Sequence, residues 1–180
     1  MGASQYSELR RSGSLELHPV LVITESYPQG FLSCNMSHTF AHNLVHCVFS
    51  TKDRMNLIKD PDELWRYTVG LAYAKNIHVI AAGGTSNHLH LLLLLPQTIT
   101  LAKAMQEIKA NTSRWLRETS STFQWQEGYG AFSVSQSQRD TVAAYIANQE
   151  EHHRTRSCVE EFAAILQKSG IAYDPRYVFG

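Results

Sequence analysis

The stretch SNHLHLLLLLP, residues 86–96, determines how the rest of the chain is interpreted. Its apolar run Leu91–Leu95 is far too short to cross a bilayer, which takes about 20 residues in a helix. Pro96 cannot donate to a ladder of hydrogen bonds, and the pair Ser86-Asn87 favours a turn. A short apolar segment between two such signals predicts a β-strand over His88–Leu95.

Further elements are predicted on both sides of this strand. Upstream, the segment NLVHCVFS is rich in β-branched and aromatic residues, and Pro61-Asp62-Glu63 is typical of the start of a helix. Gly83-Gly84 and Ser86-Asn87 predict the turn before the third strand. The predicted order is strand 43–50, helix 61–76, strand 77–82, strand 88–95, helix 98–118, strand 125–135, helix 138–153 and helix 158–169.

This order predicts an α+β fold of the split βαβ type, a ferredoxin-like or RRM-like sandwich. Its antiparallel sheet would bury one face under two helices and leave the other face open for ligands. An added C-terminal helix over 138–153 carries Tyr145.

Composition excludes several classes of protein. The chain has 180 residues, of which 43% are hydrophobic and 18% charged, so it can fold around a core. Lys plus Arg and Asp plus Glu each number 16, so the net charge predicts neither a nucleic-acid nor a membrane partner. Cys34, Cys47 and Cys158 lack the spacing of a disulfide set or a zinc site. We expect a cytoplasmic protein with no membrane segment.

Residues 1–35 differ from the remainder of the chain. They mix Ser, Gly and Pro with short apolar fragments and show no sustained periodicity. We predict a disordered N-terminal extension over 1–35 and a single domain over 36–180, so a chain beginning at Met36 should fold. The alternative is that Leu17–Ile23 adds an edge strand to the sheet.

Two groups of polar residues are candidates for chemistry. His88 and His90 flank Leu89 and therefore face the same side of the strand, where two imidazoles can hold one divalent metal. Tyr145 and Gln149 lie one helical turn apart on one helix face. Each pattern also has a structural explanation. The histidines could be buried against backbone carbonyls, and the helix could present a core tyrosine and a surface glutamine.

Together with the predicted fold, these patterns resemble the single-tyrosine HUH transposases of the insertion-sequence 200/605 type, where HUH denotes two histidines around a bulky hydrophobic residue. The likeness covers Met36 to Tyr173 and includes HNLVHCVFSTKDR, SNHLHLLLLLP, WQEGYGAFSVS and YIANQEEHH. It implies an enzyme that cuts and rejoins single-stranded DNA through a 5′-phosphotyrosine after recognising hairpins at element ends. It also implies a homodimer.

The resemblance implies a role for each matching residue. Tyr145 would be the nucleophile. His88 and His90 would bind the metal, and Gln149 would supply a third ligand through its side-chain oxygen. The expected ion is Mg²⁺ or Mn²⁺, with phosphate oxygens completing its shell.

Other candidates carry less specific signals. Contacts with DNA phosphates are predicted for Lys103, Arg114, Arg117, Arg139, Arg154 and Arg156, although a solvated helix face would give the same pattern. Stacking on unpaired bases is an alternative to core packing for Trp125 and Tyr129. Glu150 and His152 could be adjuncts of the site. Structural roles are expected for His42, His46, His78 and His153, and His153 is expected to point to a different side from the candidate site.

Two competing functions can be weighed on the sequence. A histidine-triad nucleotide hydrolase would need a third histidine at position 92, where the chain has leucine. A domesticated host protein that binds and processes repeat hairpins remains the alternative to a transposase of a mobile element. The intact set of His88, His90, Tyr145 and Gln149 argues against lost catalysis.

Overall fold

The computed structural model describes residues 21–22 and 40–175. In these ranges the strands are β1 (Leu21–Val22), β2 (Asn43–Ser50), β3 (His78–Thr85), β4 (His88–Leu95) and β5 (Gly130–Ser133). The helices are α1 (Pro61–Ala74), α2 (Leu101–Arg117), α3 (Arg139–Ala147), α4 (Gln149–His152) and α5 (Cys158–Lys168). Short 3₁₀ turns lie at Lys52–Arg54 and Gln136–Gln138. None of the helices in this part of the chain is long and apolar enough to span a membrane.

The described strands form one antiparallel sheet in the order β1-β3-β4-β2-β5. Strand β4 lies at its centre, and His90 pairs with Val48 of β2 on one side and with Gly83 of β3 on the other. Helix α1 connects β2 to β3, and α2 connects β4 to β5. This arrangement confirms the predicted α+β fold of the split βαβ type.

Strand β4 reads as a continuous apolar run because both faces of the sheet are covered. On one face Leu89, Leu91 and Leu93 belong to a buried cluster that includes Met105 and Ile108 of α2. On the other face Leu92 and Leu94 cluster with Ala143 and Ile146 of α3, and Val48 clusters with Phe132 and Leu166 of α5. Each fully buried leucine contributes about 1.5–3 kcal/mol of transfer free energy.

The second face of the sheet was predicted to be open, and that prediction is wrong for its greater part. Leu44, Ile80, Leu92 and Leu94 are too apolar to face water, so α3 packs over them and buries them. Helix α5 covers β2 and β5 in the same way. The histidines of β4 consequently lie in a buried gap between these two helices.

Gly83-Gly84 was predicted as a turn but lies inside β3, and the turn is confined to Ser86-Asn87. The physical reason is a close approach of backbones. A Cβ atom at Gly83 would overlap the main-chain carbonyl oxygen of Ile146 in α3. Glycine at this position therefore brings α3 down onto the strand next to His90.

Other predicted boundaries also change. The strand predicted over 125–135 is reduced to Gly130–Ser133, with Trp125 joined to Thr51 in an isolated bridge. The helix predicted over 138–153 is broken at Asn148 into α3 and α4. The prediction for residues 1–35 lies outside the described residues except at Leu21–Val22. That pair forms β1 on the edge of β3, within the segment that the alternative assigned to an edge strand.

Replacing Gly83 with alanine is expected to destabilise the fold by about 3 kcal/mol, because the added methyl group overpacks the contact between β3 and α3. Urea unfolding measures this change as a lower midpoint. Gly170→Ala is the matched control. Its φ of 67° strains an alanine, but nothing lies within 4 Å of the added atom, so a cost of about 1 kcal/mol is expected. Equal shifts for both variants would show that the close approach is not tight.

Candidate active site

The two histidines of β4 are buried side by side on one face of the sheet. His88 is 1% exposed and His90 is fully buried, with ring centroids 5.0 Å apart. The Nδ1 atom of His88 lies 2.8 Å from Oδ1 of Asn87, and Nδ1 of His90 lies 2.9 Å from Nε2 of His46. A proton on each Nδ1 leaves the Nε2 lone pairs directed into the gap below α3 and α5.

Glu161 of α5 occupies the centre of this gap and is 2% exposed. Its Oε2 atom lies 3.4 Å from Nε2 of His90, 3.9 Å from Nε2 of His88 and 3.1 Å from Nε2 of His153. Its Oε1 atom accepts hydrogen bonds from the Tyr145 hydroxyl and, at 2.8 Å, from the Gln149 amide. One carboxylate therefore joins the histidine cluster to the tyrosine.

Helices α3 and α4 bring Tyr145 and Gln149 to the site together. Asn148 has φ −99° and ψ 25° and ends α3, so α4 begins directly at Gln149. Gln149 is 1% exposed, and its Oε1 lies 3.3 Å from Nε2 of His88. The Tyr145 ring centroid is 6.1 Å from that of His90. The structure therefore brings the four residues of the predicted centre, His88, His90, Tyr145 and Gln149, into one cluster.

The donor atoms in this cluster fit a divalent metal ion. Ligand atoms of His88, His90 and Glu161 lie within 4.8 Å of one another. Nε2 of His90 is buried without a hydrogen-bond partner among residues 40–175, which is costly unless the atom binds something else. Gln149 adds a neutral oxygen beside His88. Two imidazoles with a carboxylate and an amide oxygen are a donor set that proteins use for such ions.

Burial and charge set the protonation of these groups. Burial, reinforced by His90 and His153, lowers the pKa of His88 to about 3, so its imidazole is neutral. Burial opposes ionisation of Glu161, but the hydrogen bond from His153, together with the neighbouring His90 and the Tyr145 hydroxyl, outweighs it and lowers the pKa of the carboxyl group. Burial, followed by the hydrogen bond to Glu161, raises the pKa of Tyr145. A neutral imidazole thus faces a carboxylate, and the tyrosine is held as the phenol.

Three further histidines surround the centre. His46 stacks on His90 with ring centroids 5.1 Å apart, and His152 lies 5.1 Å from the Tyr145 ring. His153 was expected to point to a different side, and that expectation is wrong. Its Nε2 lies 3.0 Å from Nε2 of His88 and 3.1 Å from Oε2 of Glu161. The hydrogen bond that His153 donates to Glu161 raises the pKa of His153.

Glu161 was missed in the sequence although a signal for it exists. Cys158, Glu161 and Ile165 recur at helical spacing along α5, which places a carboxylate on the helix face that meets the sheet. A carboxylate in such a position is rarely buried without a partner. The short loop before α5 explains how it reaches the site, because Ser157 and Glu160 form a capping box that starts the helix there.

The basic residues predicted to contact DNA are divided between two places. Arg114 and Arg117 line a groove of about 560 Å³ beside α2, together with Lys109. Lys103 does not line this groove. Its Nζ atom forms an ion pair with Oε1 of Glu107 at 2.8 Å. On the other face of the sheet, ion pairs join Arg139 to Asp140 and Arg154 to Glu151.

Comparisons with known proteins bear on the family and the fold of the chain. The family described as IS200-like transposase matches residues 39–149. A candidate transposase from Deinococcus radiodurans R1 superposes with a TM-score of 0.52 at 19% identity, covering 63% of this chain and 95% of that one. A REP-associated tyrosine transposase solved with a REP hairpin superposes with a TM-score of 0.51 at 14% identity, covering 66% and 74%. No curated protein matches the chain significantly.

Fold and site together define an α+β domain in which a pair of strand histidines faces a helix tyrosine. The family match extends over more than half of the sequence. The chain therefore belongs to the IS200-like transposase family, which confirms the resemblance drawn from its motifs. At their low sequence identities the two solved structures establish the shared fold.

Proposed function

We propose that this protein is a single-tyrosine HUH transposase that cuts and rejoins single-stranded DNA, with Tyr145 as its nucleophile and residues 36–180 as its catalytic domain. One observation carries the proposal. The Tyr145 hydroxyl and the Nε2 atoms of His88 and His90 converge on one buried carboxylate, that of Glu161, in the fold of a transposase family.

The proposed reaction exchanges one phosphodiester bond for another. The Tyr145 oxygen attacks the scissile phosphorus, the bond to the 3′ oxygen breaks, and the 5′ phosphate remains on the tyrosine. The phenol gives up one proton and the departing 3′ oxygen gains one, so no proton is consumed overall. Attack by a 3′-hydroxyl on the phosphotyrosine then reseals DNA without a nucleotide cofactor.

The residues that would hold a metal ion are His88, His90 and Gln149, and the geometry adds Glu161. We propose Mg²⁺ or Mn²⁺, because both accept carboxylate and amide oxygens and leave positions for phosphate. When bound, such an ion polarises a non-bridging phosphate oxygen and orients the phosphorus for attack. The hydrogen bonds that Asn87 Oδ1 and His46 Nε2 accept from Nδ1 of His88 and of His90 hold the two imidazoles in the orientation that this requires.

The proposed substrate is single-stranded DNA that contains hairpins. A fold neighbour of this chain was solved with a REP hairpin, which supports the same class of ligand here. The homodimer expected from the family remains part of the proposal. Processing of repeat hairpins dispersed in a host genome is the second candidate function, and it is favoured by that same neighbour because its ligand is a REP hairpin.

Covalent capture of DNA tests the proposal directly. The chain is incubated with Mn²⁺ or Mg²⁺ and with labelled single-stranded DNA whose hairpins are taken from the sequence around its own gene. We expect a protein–DNA adduct that survives denaturation and carries the label of the 5′-phosphate side. Release of a free 5′-phosphate with no adduct at any time point would indicate hydrolysis by water instead.

Arg114 and Arg117 are expected to contact hairpin phosphates from the groove beside α2. Log affinity decreases with log salt concentration. In the double variant Arg114→Gln/Arg117→Gln, this dependence should become shallower by about 2, since each lost contact removes about 0.9 from the magnitude of the slope. Fluorescence anisotropy with a labelled hairpin at several salt concentrations measures the slope. Arg66→Gln, an exposed arginine on α1, is the control. An unchanged slope in the double variant would assign the groove a structural role.

A further inference from the structure

A cavity of about 680 Å³ lies beside the candidate active site, toward the edge of the sheet. His88 lies in its wall, so the cavity borders the histidine cluster. The remaining wall is formed by the ends of β2 and β5, the loop 126–129, and residues of α5 with the segment that follows it. Its size is within the range of pockets that bind small organic molecules, about 300–1,000 Å³.

Aromatic rings form much of this cavity. Tyr129 is 39% exposed on the rim, and Phe132 and Phe162 line the interior with ring centroids 6.3 Å apart. Unpaired bases stack on exposed aromatic rings regardless of their identity, because every base has a π-face. The rings of this wall therefore suit a flat heteroaromatic group.

Two charged side chains add polar contacts to the same wall, Arg54 and Glu127. Arg54 offers a guanidinium, which matches the geometry of phosphate. Glu127 offers acceptor oxygens of the kind that receive hydrogen bonds from the exocyclic amino groups of bases. An unpaired nucleotide combines the three chemical features that this wall can bind.

The backbone that presents Arg54 is unusual. Asp53 and Arg54 have positive φ angles of 54° and 52°, a left-handed conformation that costs about 1–2 kcal/mol at each non-glycine residue. Hydrogen bonds to the neighbouring loop hold this segment, from the Lys52 amide to the Gln124 carbonyl at 2.9 Å and from the Asp53 amide to Gln126 at 3.1 Å. Strain of this kind concentrates at binding sites, where it fixes the position of a side chain.

We propose that this cavity, which we call the flank pocket, binds one unpaired nucleotide of the DNA strand immediately beside the scissile phosphate. The base stacks on Tyr129 and the phenylalanine rings, and its phosphate lies against Arg54. The assignment rests on the proposed function, because only a strand cleaved beside His88 places a neighbouring nucleotide here. The pocket then fixes which phosphate reaches Tyr145.

Photochemical cross-linking locates the nucleotide. The full chain with Tyr145→Phe, which cannot cleave, is mixed with DNA hairpins that carry single-stranded tails with 5-iodouracil at one position each. After irradiation, peptides are mapped by mass spectrometry. We expect one tail position to cross-link to Tyr129 or Phe162. Cross-links confined to the groove beside α2 would overturn the assignment.

Affinity measurements supply the second test. Tyr129→Ala should weaken binding of tailed hairpins about tenfold, as expected for loss of one stacked base, and should leave tailless hairpins unaffected. Tyr129→Phe should restore binding, and Tyr73→Ala, a change at an exposed tyrosine of α1, should have no effect. Equal affinities for Tyr129→Ala and Tyr73→Ala would refute the stacking role.

The outcomes separate this inference from the proposed function. If the wild-type chain forms no covalent adduct but the tail cross-links to Tyr129, the transposase chemistry fails and the flank pocket is a DNA-binding site with no cleaved phosphate beside it. If the adduct forms but no tail position reaches the flank pocket, the chemistry stands and the pocket is wrong.

Discussion

Replacing Tyr145 with phenylalanine is expected to abolish covalent attachment of DNA completely and to leave hairpin affinity within about threefold of wild type, less than 1 kcal/mol. The substitution removes one oxygen, and that oxygen is the proposed nucleophile. The ring itself stays in place, because it packs against His46, His90 and His152 with centroids 5.1–6.2 Å away. Glu161 loses one hydrogen bond but keeps those from Gln149 and His153, so a stability cost of about 1 kcal/mol is expected.

The measurement is a denaturing gel of protein incubated with labelled hairpin DNA and Mn²⁺, alongside anisotropy binding of the same DNA. Tyr73→Phe, which changes a tyrosine 72% exposed on α1, should form the adduct at the wild-type rate. DNA-linked protein from the Tyr145→Phe variant would mean that another side chain is the nucleophile. Mapping the modified peptide would then identify it.

The fold was largely readable from the sequence because its strands carry strong local signals. The run over His88–Leu95 has the composition of a strand buried on both faces, and the structure places it at the centre of the sheet. The turn predicted at Gly83-Gly84 was wrong because glycine occurs both in turns and at places where two backbones approach closely. Local sequence does not contain the position of α3, so the second use could not be recognised from neighbouring residues.

The candidate site was partly predictable for the same reason. His88 and His90 are fixed by strand alternation, and Tyr145 and Gln149 by helical spacing, so each pair is a local pattern. Glu161 lies 71 residues after His90 in the chain and reaches it only because α5 packs across β2 and β5. That contact depends on tertiary packing, which no spacing rule expresses.

His88→Ala and His90→Ala are each expected to reduce the cleavage rate by at least about a hundredfold, and EDTA should do the same to the wild-type chain. Each histidine contributes an Nε2 atom to the proposed metal site, and that atom of His90 has no hydrogen-bond partner among the described residues. Added Mg²⁺ or Mn²⁺ should restore the EDTA-treated protein. His42→Ala, a change at an exposed histidine before β2, should retain the wild-type rate.

Gln149→Ala is expected to lower the rate less, by about tenfold, because water or phosphate can replace a neutral oxygen ligand more easily than an imidazole. The remaining loss arises because Gln149 also donates to Glu161 and so helps to hold the carboxylate beside Tyr145. Glu161→Gln preserves the shape of the side chain and removes its charge. Its effect should fall chiefly on metal affinity, since a carboxylate binds a divalent ion more strongly than an amide does.

Metal binding must be measured separately from cleavage to distinguish ligands from residues that merely support the fold. Electron paramagnetic resonance of Mn²⁺ titrated into each variant gives the affinity, and urea unfolding confirms that the variant is folded. We expect Mn²⁺ affinity to fall in His88→Ala, His90→Ala and Glu161→Gln while His42→Ala matches the wild type. Wild-type Mn²⁺ affinity and cleavage in both histidine variants would leave His88 and His90 as buried structural residues. Wild-type affinity in Glu161→Gln alone would remove Glu161 from the metal site and leave it as the hydrogen-bond partner of Tyr145.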